Sequence, residues 1–288
     1  MADSRWISTD GRLGTTTSYS PTGVPIVGGN LFFDGTSQMD VVDDLDEFAL
    51  FAMNKVWVQR AYEGDIGADG NAWQLSAKYL IHNGAGSLFH DAVSGATTPY
   101  VIVDSPNMQD AYILTDTDGA GGIDYTWAIL NGKVKVLDNS STVLGNFLVG
   151  PGRTSQPIVD IGLINSSVYY RQAGGLVTTK TALGSSASTS RTIIDGGTLI
   201  YHADATGSKI WNKVEITGGA MIFNGLGVSG GVHMGECTIT SGTLDMTRDS
   251  RAKVITTLRL MPGANFFTHS NITVTNLIDL RGTQPVLP

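Results

Sequence analysis

Ile194-Asp195-Gly196-Gly197-Thr198-Leu199-Ile200-Tyr201 decides how this chain is read, because its pattern returns at Ile216-Thr217-Gly218-Gly219-Ala220-Met221-Ile222-Phe223. It returns again at Ile239-Thr240-Ser241-Gly242-Thr243-Leu244-Asp245-Met246 and at Leu260-Met261-Pro262-Gly263-Ala264-Asn265-Phe266-Phe267. The anchor glycines 197, 219, 242 and 263 are spaced 22, 23 and 21 residues apart. A fixed period in this range is the mark of a solenoid. The ladder extends backwards through Gly175, Gly152 and Gly132, and forwards to Gly282.

Each unit reads as strand, glycine-containing turn, strand and loop. Before the turn, Val214/Ile216, Cys237/Ile239 and Leu258/Leu260 alternate with polar residues, the period-2 pattern of a half-buried strand. Gly, Thr, Ser, Asn and Asp fill the segments between, and these are turn formers. No stretch carries a helical period. The expected fold is all-β, a single-stranded parallel β-helix, right-handed by default. Stacking predicts one internal row of Val214, Cys237 and Leu258, and another of Ile194, Ile216, Ile239 and Leu260. One coil cannot bury its own apolar face, so neighbouring coils must supply the stability. A β-sandwich is the alternative, since short strands separated by turns also suit one.

Two regions follow from this. Residues 1–30 are polar and rich in Gly, Thr, Ser and Pro, and are expected to form an extended N-terminal arm. Residues 31–288 are expected to form the β-helix domain, with the regular coils clearest at 170–282. Strands are expected at Lys55–Gln59, Ala77–His82, Tyr100–Val103, Ala111–Leu114 and Tyr125–Leu130, with a less regular period. An acidic run, Asp40, Asp43, Asp44, Asp46 and Glu47, leads into Phe48–Met53, read as a short helix or strand. It is expected to be a solvated face or docking surface. The prolines of Gln284-Pro285-Val286-Leu287-Pro288 cannot continue a sheet ladder, and this tail is expected to help cap the solenoid.

Composition limits the function. Glycine is 36 of 288 residues, well above the ~7% of ordinary proteins. Charged residues are 15%, against about 25% usually, which fits a surface partly covered by partners. The net charge of -8 argues against nucleic-acid binding. No apolar run is long enough for a membrane helix. Met1–Thr9 lacks the apolar run of a signal peptide, so synthesis and folding in the cytoplasm are expected.

Candidate chemistry is sparse. Gly225-Leu226-Gly227-Val228-Ser229-Gly230 fits G-x-G-x-x-G, but a strand is predicted after it over Val232–Thr240. A dinucleotide site needs a helix N-terminus there. Asp116-Thr117-Asp118-Gly119 with Asp124 lacks the third acidic ligand and closing Glu of a calcium loop, and reads as a polar turn. The five histidines, at 82, 90, 202, 233 and 269, stand in no zinc pattern. The single cysteine, Cys237, reads as a buried hydrophobe. Stacking brings no carboxylates together: Asp195 shares its slot with Thr217, Thr240 and Met261, and Asp245 shares its slot with Ile200, Ile222 and Phe266. No catalytic, cofactor or metal site is expected. The aromatic residues read as scattered along the chain.

Trp6-Ile7-Ser8-Thr9-Asp10-Gly11, Pro21-Thr22-Gly23-Val24-Pro25 and Asn30-Leu31-Phe32-Phe33-Asp34-Gly35 resemble the opening of a group of β-helical tailed-bacteriophage virion proteins. Glu63-Gly64-Asp65-Ile66-Gly67 is similar to their Gly-x-Ile-Gly step. The resemblance implies a non-enzymatic head decoration or cement protein, a homotrimer bound to the major capsid protein on the virion surface. Trp6, Pro21, Val24 and Pro25 would belong to a capsid-contact arm that orders on binding, so deleting residues 2–30 should leave the coil folded. The structural coil turns are assigned to Gly175, Gly197, Gly219, Gly242 and Gly263. The alternative function is a tail fibre or spike that binds host surface polysaccharide, with or without cleaving it.

Overall fold

The computed structural model describes residues 3–46, 53–91, 100–106, 112–115, 125–137, 139–152, 155–162, 164–184, 190–202, 209–225 and 230–282. The segment 47–52 that follows the acidic run, the Asp116–Asp124 turn, residues 226–229 and the tail 284–288 lie outside the described residues. Among the described residues 63% lie in strands, and they wind as a parallel β-solenoid of about nine turns.

In chain order the strands are β1 (Asp3–Trp6), β2 (Tyr19–Ser20), β3 (Asn30–Phe33), β4 (Met53–Val58), β5 (Trp73–Gln74), β6 (Ala77–His82) and β7 (Leu88–Asp91). Next are β8 (Tyr100–Asp104), β9 (Tyr112–Thr115), β10 (Tyr125–Asn131), β11 (Lys133–Val136), β12 (Asn139–Val149) and β13 (Ile158–Ile161). Then come β14 (Ile164–Thr179), β15 (Arg191–His202), β16 (Lys209–Ile216), β17 (Ala220–Asn224), β18 (Gly231–Arg248), β19 (Ala252–Phe267) and β20 (Ile272–Asp279). The chain divides into two compact units, residues 1–145 with 152–165, and residues 146–151 with 166–288.

In the second unit the long strands bend at the glycine ladder and serve two parallel sheets. Before the bend, Ile194 pairs with Ile216, Ile216 with Ile239, and Ile239 with Leu260. Val214 pairs with Cys237, and Cys237 with Leu258. Both predicted internal rows are therefore present, and all of their members are buried. After the bend, Val177, Leu199, Met221 and Leu244 form a third buried row. These side chains meet their counterparts one coil away at the ~4.8 Å spacing of paired strands, which is how a coil too thin to own a core acquires one.

The ladder glycines are required by the bend. Gly175, Gly197, Gly219 and Gly242 all have left-handed backbones, with φ between 69° and 90°. A Cβ on Gly197 would stand 2.4 Å from the carbonyl oxygen of Gly175. Gly263 departs from the expectation. It pairs with Ser241, and the residue in register with Gly242 is Ala264. The pairing shifts between Ile239 and Ser241, so the slots after the bend move by one: Asp245 lies opposite Phe267, not Phe266.

The first unit is also coiled, and more regularly than its sequence suggests. One parallel sheet runs through β1, β3, β4, β6, β8 and β10, and a second through β5, β7, β9, β11 and β13. All five strands predicted between 55 and 130 are present within two residues at either end. Every described pairing between named strands is parallel except β1 with β2. That excludes the β-sandwich, whose sheets are antiparallel.

The extended arm over 1–30 is corrected where it is described. β1 pairs with β3 in parallel and with β2 antiparallel. Trp6, Leu13 and Tyr19 are fully buried. The Trp6 ring lies 5.7 Å from that of Tyr19 and 5.5 Å from that of Phe33, and its Nε1 donates to the Met39 carbonyl at 3.3 Å. Tyr19 donates its hydroxyl to the Leu13 carbonyl at 2.7 Å. Residues 3–30 therefore close the end of the first unit, because an open solenoid end would leave Leu31 and Phe33 in water.

Candidate functional site

The first sheet of the first unit has an inner and an outer face, set by the period-2 alternation of its strands. Its inner rows run Leu31, Val56, Leu80, Val101, Trp127 and Phe33, Val58, His82, Val103, Ile129, and all ten are buried. The outer rows carry different chemistry. One runs Asn30, Lys55, Tyr79, Tyr100, Thr126 and the other Phe32, Trp57, Ile81, Ile102, Ala128. Four aromatic rings, spread over 69 residues of sequence from Phe32 to Tyr100, thus lie on one face of the sheet.

These rings touch one another across strands. Phe32 and Trp57 are 6.2 Å apart, and Tyr79 stacks on Tyr100 at 5.2 Å with an interplanar angle of 19°. Lysines lie over them: the Lys55 Nζ is 5.5 Å from the Trp57 ring and the Lys78 Nζ is 5.3 Å from that of Tyr79. Trp57 is fixed by its Nε1, which donates to the Asn83 Oδ1 at 2.7 Å; the Asn83 amide donates in turn to the Asp104 carbonyl at 3.0 Å. Arg60 reaches Asp104 at 3.6 Å. Most of these side chains are half-buried, and Tyr100 is 43% exposed. A sheet face of Trp, Tyr, Phe and Ile edged by Lys and Arg has the composition of an interaction hot spot. The sequence reading missed it. Ring residues in successive coils share a face only once the register is known, and the register of the first half does not show in any glycine spacing.

Behind this face lie two buried histidines. His82 holds an inner position between Val58 and Val103, and His90 lies between Trp73 and Leu114. Tyr112 is edge-on to both rings at 6.1 Å, and its hydroxyl is 2.7 Å from the His90 Nδ1. Burial pushes both imidazoles down to about 4, so they are neutral at pH 7.

The expected site residues fall in several places. Trp6 is core. Pro21 is exposed, Val24 half-buried and Pro25 buried, and the neighbouring Ile26 and Val27 are each 61% exposed. Those four residues do not form one surface, since Trp6 and Pro25 are inside. Among the acidic residues, Asp40 accepts from the Asp65 backbone N–H at 2.8 Å, Asp43 pairs with Arg12 at 3.0 Å, and Asp44 accepts from the Gly14 N–H at 3.2 Å. Asp195 is held by Arg171 and Thr217, each at 2.6 Å. The Asp245 Oδ1 accepts from the Thr247 N–H at 2.9 Å. His233 is exposed and Cys237 buried, so they lie on opposite faces of β18. Gly230 is followed directly by β18, the strand expected there. Ile66 of the Gly-x-Ile-Gly step is buried and bridges Val41 and Leu88, and Gly67 has φ +74°.

Comparison with protein-family models, with curated proteins and with solved structures finds no match.

Proposed function

We propose that this protein is a non-enzymatic structural component of a tailed-bacteriophage virion, a decoration or cement protein that binds the major capsid protein on the outside of the shell. The observation that carries this reading is the outer face built by Phe32, Trp57, Tyr79 and Tyr100, with Ile81 and Ile102 between them. A parallel β-helix holds such a face flat and rigid, so little conformational entropy is lost when a partner covers it. The resemblance of Trp6–Gly11, Pro21–Pro25 and Asn30–Gly35 to phage head proteins supports the same reading.

Self-association, as a trimer in that resemblance, draws support from the other unit. The row Val214, Cys237, Leu258 continues to Leu277 on β20, which is 55% exposed, and Phe267 nearby in sequence is 52% exposed. Contact with another chain would cover these side chains. A tail fibre or spike is the second reading, because sugar rings also stack on aromatic platforms.

Mass spectrometry of purified virions with copy-number counting decides between them. Copies in the hundreds support a cement role. Copies comparable to the number of tail parts support the fibre, and absence from the particle removes both. Within the cement reading, Trp57→Ala with Tyr100→Glu should abolish binding to undecorated shells while the protein, somewhat less stable, still melts cooperatively. Undiminished binding would rule out this face as the contact.

A further inference from the structure

The edge of β20 is open, and we propose that it pairs antiparallel with the same edge of a second copy of this chain, across a two-fold axis. β20 pairs with β19 and, among the described residues, with no other strand. Its Leu277 continues the row of Val214, Cys237 and Leu258, but it is 55% exposed where Leu258 is 1% exposed. Edge strands are ordinarily guarded against pairing by charges or Pro. Thr273-Val274-Thr275-Asn276-Leu277-Ile278 holds neither.

The spacing of the inward side chains selects the occupant. In β18 they are Val232, Met234, Cys237 and Ile239, and in β19 Lys253, Ile255, Leu258 and Leu260, all buried. The steps are two, three and two residues in both strands, and the pairing carries them on to Ile272, Val274, Leu277 and Asp279. Such a set reads the same in either direction. A two-fold axis between Thr275 and Asn276 therefore sets Val274 opposite the other copy's Leu277, Ile272 opposite its Asp279, and Thr273 opposite its Ile278. Inward side chains meet inward ones, and outward meet outward. A slip of one or two residues would set an inward side chain opposite an outward one, so the register is specified.

Charge agrees with this pairing. Asp279 is the one charged residue of β20 and is bonded to Arg281 at 2.6 and 2.9 Å. The two copies of Asp279 lie at opposite ends of the joined strands, so like charges do not meet. Other occupants fit less well. Head-to-tail stacking needs an open first coil, and β1 and β2 close it. In the tail, Pro285 and Pro288 stand at an odd spacing, so a regular ladder along β20 would need an N–H that one of them lacks. The proposed contact is isologous, so it closes on itself as a dimer. It does not rest on shell binding, and it gives two-fold association where the phage resemblance implies three-fold.

Sedimentation velocity and light scattering on the purified full-length protein test the pairing. A dimer of the 30.4 kDa chain is expected, with a Kd of roughly 10 µM or lower. Leu277→Lys should weaken it about a hundredfold, because each substitution enters the contact twice. Register is read separately with Thr273→Cys combined with Ile278→Cys, both on the outward face. Under oxidation this double variant should form a covalent dimer, and either single variant should not, because its cysteine then faces no thiol. A monomer at roughly 100 µM would overturn the proposal. So would a trimer, a dimer as tight with Leu277→Lys, or equal cross-linking by the single variants. If removal of residues 284–288 converts a monomer into a dimer, the tail is the occupant of this edge and the proposal fails.

Discussion

The carbonyl oxygen of Gly197 lies 2.5 Å from the point where a Cβ on Gly219 would stand, and Gly219 is itself left-handed at φ +69°. Gly242 stands in the same relation to Gly219, also at 2.5 Å. The repeat is therefore a stack of backbones in contact, in which each glycine leaves room for the carbonyl of the coil before it. Side chains are excluded twice, by backbone conformation and by space.

Three substitutions separate those two causes. Gly282→Ala, with open space around it and no left-handed φ, should be close to neutral. Gly28→Ala meets nothing within 4 Å but has φ +75°, so it should cost about 1 kcal/mol from backbone strain alone. Gly219→Ala adds the clash and should cost on the order of 3 kcal/mol or more. Denaturant midpoints measure all three, and equal costs for Gly28→Ala and Gly219→Ala would show that the stacking contact is unimportant.

Deleting residues 3–30 should unfold the first unit, the reverse of what an extended arm implies. Trp6→Ala alone should cost about 3–5 kcal/mol, the usual loss for a buried aromatic. Circular dichroism on heating reads both variants. A truncated protein that melts within a few degrees of the full chain would restore the arm.

Acidification should weaken the fold between pH 6.5 and about 4. His82 and His90 have depressed folded values, near 4, and ordinary values near 6.5 once unfolded. In that window the unfolded chain binds more protons, so stability is complete above 6.5 and falls as pH drops towards 4, by up to about 3 kcal/mol per histidine. His82→Gln with His90→Gln should flatten the fall in melting temperature across this range. An unchanged slope in the double variant would assign the effect to other groups.

Cys237 should not react with Ellman's reagent in the native protein and should react fully after denaturation. It is buried in the row between Val214 and Leu258, and burial pushes its thiol up to about 12. Rapid labelling of folded protein would mean that the coil opens at β18.

The sequence by itself determined the fold class, the period and the inner rows of the second unit. Those rows depend only on alternation and spacing, which are properties of the chain taken one residue at a time. It also located the ladder glycines, because a position that excludes every side chain leaves a gap in composition that recurs with each coil. Tertiary structure decided the rest. Gly263 matches the spacing but lies one place off the stack, because a shift in pairing near Ser241 puts Ala264 opposite Gly242. Residues 3–30 read as solvated, since Trp6, Leu13 and Tyr19 follow no period. They are buried because the next coil offers Leu31 and Phe33 to pack against. Phe32, Trp57, Tyr79 and Tyr100 looked scattered because no local pattern joins them. Coils of unequal length bring them onto one face, and only the strand register records those lengths.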